Sequence, residues 1–456
     1  MKENYKILLL LLFVFASRIP FLFAGYGAEE DSWGVALNAM LMARTHIYEY
    51  SRIPGHPVQE YFYAFLPVKS AWAFNACTAL MSTLCVFFFY LICKKMNAPA
   101  ITGALMLAFT PVFFVNSSND LDYNWALCFM LAAFYFMLNK KNTATAICVG
   151  LAVGCRITSG AILLPLAFYL FTTENDYKKT ARFVLLSLFV CAMVFAPVIA
   201  RYGKDFFGYV NQFGVPPVLK TIFKGTIGVW GIVGLFFIAI LFLKSLVALL
   251  KKKFSPETSH VIYTCIITIV LFTTSYLWEP HKAAYLIPVI PFVILFILLL
   301  YKNKKIIYPT TIVLMLNCFF MGVNLADDNR SAPPSKLAVV KKINNNKIAV
   351  DVLKGNVIDD YQKRKARMEF AENVIQKTSA VNKNTLVIAG YWLNNILVQQ
   401  HGRENANLTF VYYVDEKTLR DFKAKDFEIF CIAGQEKLND GCYQGKFTDK
   451  YVKILN

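Results

Sequence analysis

Glu29, Glu30 and Asp31 stand in the stretch Gly27-Ala-Glu-Glu-Asp-Ser-Trp-Gly34, just after an apolar run from about Ile7 to Ala24. That run is long enough to cross a bilayer. Carboxylates are costly at the lip of a span, so an acidic cluster there points to use. Other charged groups hold similar positions. Arg52-Ile-Pro-Gly-His-Pro-Val-Gln-Glu60 closes the following loop and contains His56, Asp120 and Asp122 bridge two later apolar runs, and Arg156 interrupts another. Glu279, His281, Lys282 and Tyr285 open a further run. Polar loops alone account for single residues of this kind. They account less well for Asp122, Arg156 and Lys282, which press against span ends. Acids and bases gathered on one face suggest a site that handles an anionic partner.

The chain around these residues is strongly apolar. Of its 456 residues 57% are hydrophobic and 17% charged, with 40 Phe. Soluble domains hold about 45–50% apolar residues, so this composition is that of an α-helical polytopic membrane protein. The net charge of +18 comes from 47 Lys+Arg against 29 Asp+Glu. Its basic residues sit in short clusters between apolar runs: Lys94-Lys95, Lys140-Lys141, Lys178-Lys179, Lys251–Lys253 and Lys302–Lys305. The positive-inside rule explains them without a nucleic acid, which is excluded as a partner. The N-terminal run is read as a retained first helix rather than a cleaved signal, since no small-x-small site clearly follows it.

Read with that rule, the chain makes about eleven spans in a cell (inner) membrane. The stretch Thr143 to Thr172 is read as two short helices that enter and return, with Arg156 near their outer turn. A single long span would put Lys178-Lys179 on the wrong side, and Gly154-Cys-Arg-Ile-Thr-Ser-Gly160 interrupts its middle. All the charged groups named above then share the extracytoplasmic side. Residues 1–325 form the membrane domain and 326–456 a small soluble α/β domain on that same side. Arg330-Ser-Ala-Pro-Pro-Ser335 reads as a linker. Strands are expected at Thr385–Ala389, Leu408–Val414 and Phe427–Ile432, and helices at Asp360–Lys377 and Glu416–Lys423. Most of the 11 Cys lie in apolar runs and behave as small hydrophobes. Cys431 and Cys442 lie in the polar tail, where an oxidising compartment would allow a disulfide.

The layout resembles the GT-C glycosyltransferases that use lipid-phosphate-linked sugars, in particular the branch of protein O-mannosyltransferases and lipid A aminoarabinose transferases. The similar features are the acidic pair Glu30-Asp31, the Pro-Gly-His-Pro element Pro54–Pro57, the second acidic loop, Arg-x-Thr-Ser-Gly at Arg156–Gly160, and the His-Lys-x-x-Tyr-x-x-Pro-x-x-Pro stretch from His281 to Pro291. Their order and sidedness carry the likeness, over about residues 1–325. It implies a GT-C fold and transfer of a sugar from a polyprenyl-phosphate donor to an extracytoplasmic glycan, lipid or protein, with membrane lipid around the site.

Such a transfer needs a carboxylate to take the acceptor's proton and cations or a metal to carry the leaving phosphate's charge. The resemblance makes Asp31 the candidate base, with Glu30 as its alternative. Asp120, Asp122 and His56 become candidates for orienting the acceptor or holding a divalent metal, the one possible cofactor. Arg156, Lys282, His281 and Tyr285 become candidates for the donor phosphate. The bland alternatives are helix caps for Asp31, Asp120 and Asp122, and interfacial snorkelling for Arg156 and Lys282. A transporter or lipid flippase is the competing class. It calls for repeats and for charges near mid-membrane, whereas no repeat is evident here and the charges cluster at one lip.

Overall fold

The structure, a computed structural model, describes residues 2–207, 216–251, 253–301, 303–326, 335–343, 346–379, 383–432 and 452–454. Apolar residues run almost unbroken through Ala71–Lys95, Tyr177–Tyr202, Ile232–Lys251 and Pro256–Trp278, and each forms one helix. A helix rises about 1.5 Å per residue, so about 20 residues cross the hydrocarbon layer. Among the described residues, six helical stretches are long and apolar enough to do so. Three shorter apolar helices stand among them, at Tyr123–Leu138, Asn142–Cys155 and Val289–Leu300. Val289–Leu300 is buried at every position, as a helix that is apolar all round must be.

Two expected spans are not single helices. The one expected over about Ala100–Val115 is broken into Ala100–Ala108 and Pro111–Val115. Pro111 has no N–H to continue the first piece and instead starts the second. The one expected over about Ala284–Tyr301 opens as a 3₁₀ turn, Ala283–Leu286, before the α-helix begins at Val289.

The stretch after Lys140-Lys141 is a hairpin of short helices. Asn142–Cys155 leads in, Ile157–Ile162 turns, and Leu163–Glu174 leads back. Its two ends meet: Lys140 Nζ lies 3.4 Å from Glu174 Oε1, and Lys179 Nζ lies 3.0 Å from Glu174 Oε2. The stretch therefore enters and leaves on one face and carries Arg156 at its far end. Two glycines allow this packing. A Cβ on Gly150 or Gly154 would come within 2.3 or 2.2 Å of Val190 or Val194, so Asn142–Cys155 lies directly against Tyr177–Tyr202.

Among its described residues the tail holds two sheets. Strands β1 (Gly322–Ala326), β2 (Ala338–Ile343) and β3 (Asn346–Asp351) form an antiparallel sheet in the order β1-β3-β2, which the strand pattern did not signal. β1 runs across the expected boundary after residue 325. Strands β4 (Thr385–Ile388), β5 (Leu408–Val411) and β6 (Glu428–Ile432) are parallel, and β7 (Val452–Ile454) pairs antiparallel with β6, in the order β5-β4-β6-β7. The helices Asn356–Ser379 and Glu416–Ala424 fall where they are expected. Cys431 is buried on β6. Cys442 and the linker residues Arg330–Pro334 lie outside the described residues.

The tail does not hang free. Arg364, fully buried on the Asn356–Ser379 helix, pairs with Asp360 at 2.9 Å. It donates to the carbonyls of Phe21, Gly25 and Ser118 at 3.0, 3.3 and 2.5 Å. Those carbonyls begin the two loops that carry Asp31 and Asp122.

Candidate active site

Asp31 lies in the first turn of the helix Glu30–Thr45. The N-cap of that helix is Glu29, and it makes no side-chain capping bond. Asp31 is therefore not the cap, and its carboxylate is available for other partners. Lys282 Nζ lies 2.5 Å from Asp31 Oδ2 and also pairs with Glu29, while Arg52 Nε stands 3.9 Å from the same Asp31 oxygen. Burial pushes the Asp31 carboxyl up, but Arg52 and Lys282 outweigh it and hold the carboxyl down at about 2. Glu30 opens the same turn, but Asp31 is the acid that takes these two cations.

Asp122 is the buried centre of the cluster. Arg52 pairs with its Oδ1, Arg156 Nη1 lies 3.0 Å from its Oδ2, and His56 Nδ1 lies 3.6 Å from Oδ2. It occupies the N-cap of Tyr123–Leu138 without capping it through its side chain. Burial opposes its ionisation, yet the guanidiniums of Arg52 and Arg156 keep its carboxyl well below the usual range. Arg156 lies 4.5 Å from the Tyr123 ring and 4.8 Å from the Tyr285 ring, whose centroids are 6.1 Å apart. Such cation–π contacts fix the plane of a guanidinium. Burial, and then Arg52, lower the His56 imidazole and keep it neutral. Its Nδ1 lies 2.7 Å from the Cys155 carbonyl and donates to it.

Arg52 was not among the expected site residues, although it heads the Pro-Gly-His-Pro element. Glu60 folds that loop and thereby aims Arg52. It accepts from Tyr48 Oη at 2.6 Å, from the Ser51 amide and hydroxyl at 2.7 Å each, and from the His56 amide at 2.9 Å. Arg52 thus bridges the two acidic loops. Asp120 is fully buried and makes no ion pair among the described residues; burial raises its carboxyl well above the carboxylate range. His281 offers its backbone carbonyl to Lys224. No group of three or more His, Cys, Asp or Glu among the described residues is placed to hold a metal ion. The expected set Asp120, Asp122 and His56 does not converge on one point, because Arg52 and Arg156 occupy the Asp122 oxygens.

Residues 57–200 match the dolichyl-phosphate-mannose-protein mannosyltransferase family, and that segment contains His56's neighbour Pro57, Asp120, Asp122 and Arg156. The fold is that of ArnT from Cupriavidus metallidurans bound to undecaprenyl phosphate, with a TM-score of 0.64 and 13% identity, over 100% of this chain and 98% of that one. The apo form of the same ArnT matches with a TM-score of 0.62 and 12% identity over the same shares. No curated protein sequence matches the chain. The chain therefore has the helical, multi-span membrane fold of that ArnT.

In this fold the cluster balances three carboxylates, Glu29, Asp31 and Asp122, against three cations, Arg52, Arg156 and Lys282. Asp122 is fully buried, whereas the Asp31 side chain is 35% exposed and the Lys282 side chain 23%. Asp31 and Lys282 can therefore meet a substrate, while Asp122 sets the guanidiniums behind them. Arg364 gave no signal in the sequence, since the carbonyls it donates to lie in loops hundreds of residues away.

Proposed function

We propose that the enzyme moves a sugar from a polyprenyl-phosphate donor to an extracytoplasmic hydroxyl acceptor, with Asp31 as general base and Lys282, Arg52 and Arg156 receiving the phosphate. The acceptor oxygen bonds to the anomeric carbon and the bond from that carbon to phosphate breaks. The polyprenyl phosphate leaves with the electron pair, and the acceptor's proton goes to Asp31. Asp122 positions Arg52 and Arg156 for this work.

One observation carries the reading: a solvent-reachable carboxylate is paired with these cations, and an apolar groove of about 770 Å³ is lined by residues close in the chain to two of them. Leu164, Ile266, Val270, Leu271 and Trp278 line it, and Thr158 and Glu279 give it a polar end. Thr158 is next but one to Arg156, and Glu279 is close in the chain to Lys282. An isoprenoid tail in the groove would bring its phosphate to those cations. The undecaprenyl phosphate held by the C. metallidurans ArnT and the dolichyl-phosphate mannose in the matched family's name support this class of donor. With Lys282 and Arg52 turned to it, Asp31 is a weak base. A phosphate that draws both cations away makes Asp31 a stronger one. The basic pairs at the opposite helix ends support an extracytoplasmic position for the site and the tail docked beside it.

Binding of undecaprenyl phosphate to the purified full chain tests this. Lys282→Ala and Arg156→Ala should each lose roughly 1.5–3 kcal/mol, or about 10- to 150-fold in affinity. Unchanged affinity in folded variants would remove the phosphate role.

A further inference from the structure

We propose that a polar pocket along the helix Glu30–Thr45 binds the acceptor, and that this acceptor is a carbohydrate, recognised through its uncharged hydroxyls. The proposal rests on the transferase reading above and names its second substrate.

The pocket has a volume of about 370 Å³, within the range of small-molecule sites. Gly34, Leu37, Asn38, Leu41 and Thr45 of the helix form one wall. Four of them, Gly34, Asn38, Leu41 and Thr45, follow Asp31 at alternating steps of three and four residues. That spacing marks one stripe of a helix, and Asp31 heads it. Gly34 lies about 4.5 Å along the axis from Asp31. A ligand lying on the stripe therefore has one end directed at the proposed base.

The other walls come from different parts of the chain. Glu49, Tyr50 and Ser51 form the second, and the next residue, Arg52, is the one that reaches Asp31 at 3.9 Å. Asn394 forms the third, from the tail helix Leu393–Gln400. A Cβ placed on Gly34 would stand 3.4 Å from Asn394 Nδ2, so the bare glycine keeps the end nearest Asp31 open. The tail domain thus completes the pocket.

The chemistry of the walls selects the ligand class. Among the described residues, two amides, three hydroxyls and one carboxylate line the pocket, and no Lys or Arg does. The Glu49 charge is already met by Arg201 and Tyr202. A phosphorylated headgroup finds no cation here. A hydroxyl-rich ring can donate to and accept from the amides and lay its C–H face on Tyr50. The pocket shares no residue with the apolar groove, so donor and acceptor reach Asp31 from separate sites.

Saturation-transfer NMR on the full chain in detergent micelles, with methyl α-mannoside, methyl β-glucoside and methyl β-galactoside as probes, tests the proposal beside undecaprenyl phosphate binding. One or more of the glycosides should receive saturation from the wild-type protein. Leu41→Trp fills the pocket from a residue that is already 37% exposed, and Asn394→Ala removes an amide. Both should weaken glycoside binding about tenfold and leave undecaprenyl phosphate binding intact. Lys282→Ala should do the reverse. Absence of transfer to every glycoside, or transfer that persists in Leu41→Trp, overturns the carbohydrate site. Loss of both ligands in Leu41→Trp with wild-type behaviour in Asn394→Ala also overturns it. A wild-type protein that binds glycosides but not undecaprenyl phosphate would instead overturn the donor reading.

Discussion

Replacing Asp31 by Asn separates the chemistry of this site from its architecture. Asn keeps the size of the side chain and can still accept from Lys282, which lies 2.5 Å away. It cannot take a proton. Removing a general base typically costs about 10²–10⁴-fold, or roughly 2.7–5.4 kcal/mol of barrier. The stability cost should be far smaller. Asp31 is 35% exposed and Lys282 23%, and ion pairs open to solvent contribute about 0–1 kcal/mol. Helix capping is not at stake, because the cap is Glu29. Undecaprenyl phosphate should bind Asp31→Asn at least as well as wild type, since the phosphate no longer competes with a carboxylate for Lys282 and Arg52. Turnover of an undecaprenyl-phosphate-linked sugar, measured beside thermal unfolding and lipid binding, reads all three quantities. Near-normal turnover in Asp31→Asn refutes the assignment. With Glu30→Gln inactive, the base moves by one residue; with both variants active, this loop leaves the chemistry altogether.

Other outcomes follow from the same geometry. Asp122→Asn leaves the half-buried guanidiniums of Arg52 and Arg156 without their counter-charge, and breaking such a buried arrangement costs about 3–5 kcal/mol; denaturant or thermal unfolding should show a loss far greater than in Asp31→Asn. Asp31 must be ionised to accept a proton, and its carboxyl is lowered from 3.8 to about 2 by Arg52 and Lys282 against burial. Activity is therefore lost only as pH falls through that low value. In Lys282→Ala the acid limb of kcat/KM should move up toward the ordinary carboxylate range of about 4, and an unshifted limb would show that Lys282 does not control this group. Cysteines placed at Asn142 and Asn175 should be labelled from the same side of the membrane, because Lys140 and Glu174 beside them are 3.4 Å apart; labelling from opposite sides would contradict the hairpin.

Much of this architecture is written locally. Helices such as Ala71–Lys95 and Tyr177–Tyr202 follow from the transfer free energy of long apolar runs, which sums residue by residue and needs no knowledge of neighbours. The Thr143–Thr172 hairpin was legible because Lys140-Lys141 and Lys178-Lys179 both belong on one side, and Gly154–Gly160 offers the turn between them. Parallel strands β4, β5 and β6 announce themselves as short β-branched and aromatic runs. The candidates Asp31, Asp122, Arg156 and Lys282 were visible because charge at a span end is costly wherever it occurs.

What each of those residues touches was not legible. Lys282 and Asp31 are 251 residues apart, Arg156 and Asp122 are 34 apart, and Arg364 and Gly25 are 339 apart. No local period encodes such pairs. They exist only once packed helices bring their ends together. The tertiary structure alone decided that Arg52 bridges both acidic loops, that Asp120 is buried away from the ion pairs, and that Asp122 anchors two guanidiniums. It also decided that the tail, docked through Arg364, is built into the surroundings of the site. Composition and periodicity act through each residue's own contact with water or lipid. The site is made of contacts between side chains, and their geometry is a property of the folded chain as a whole.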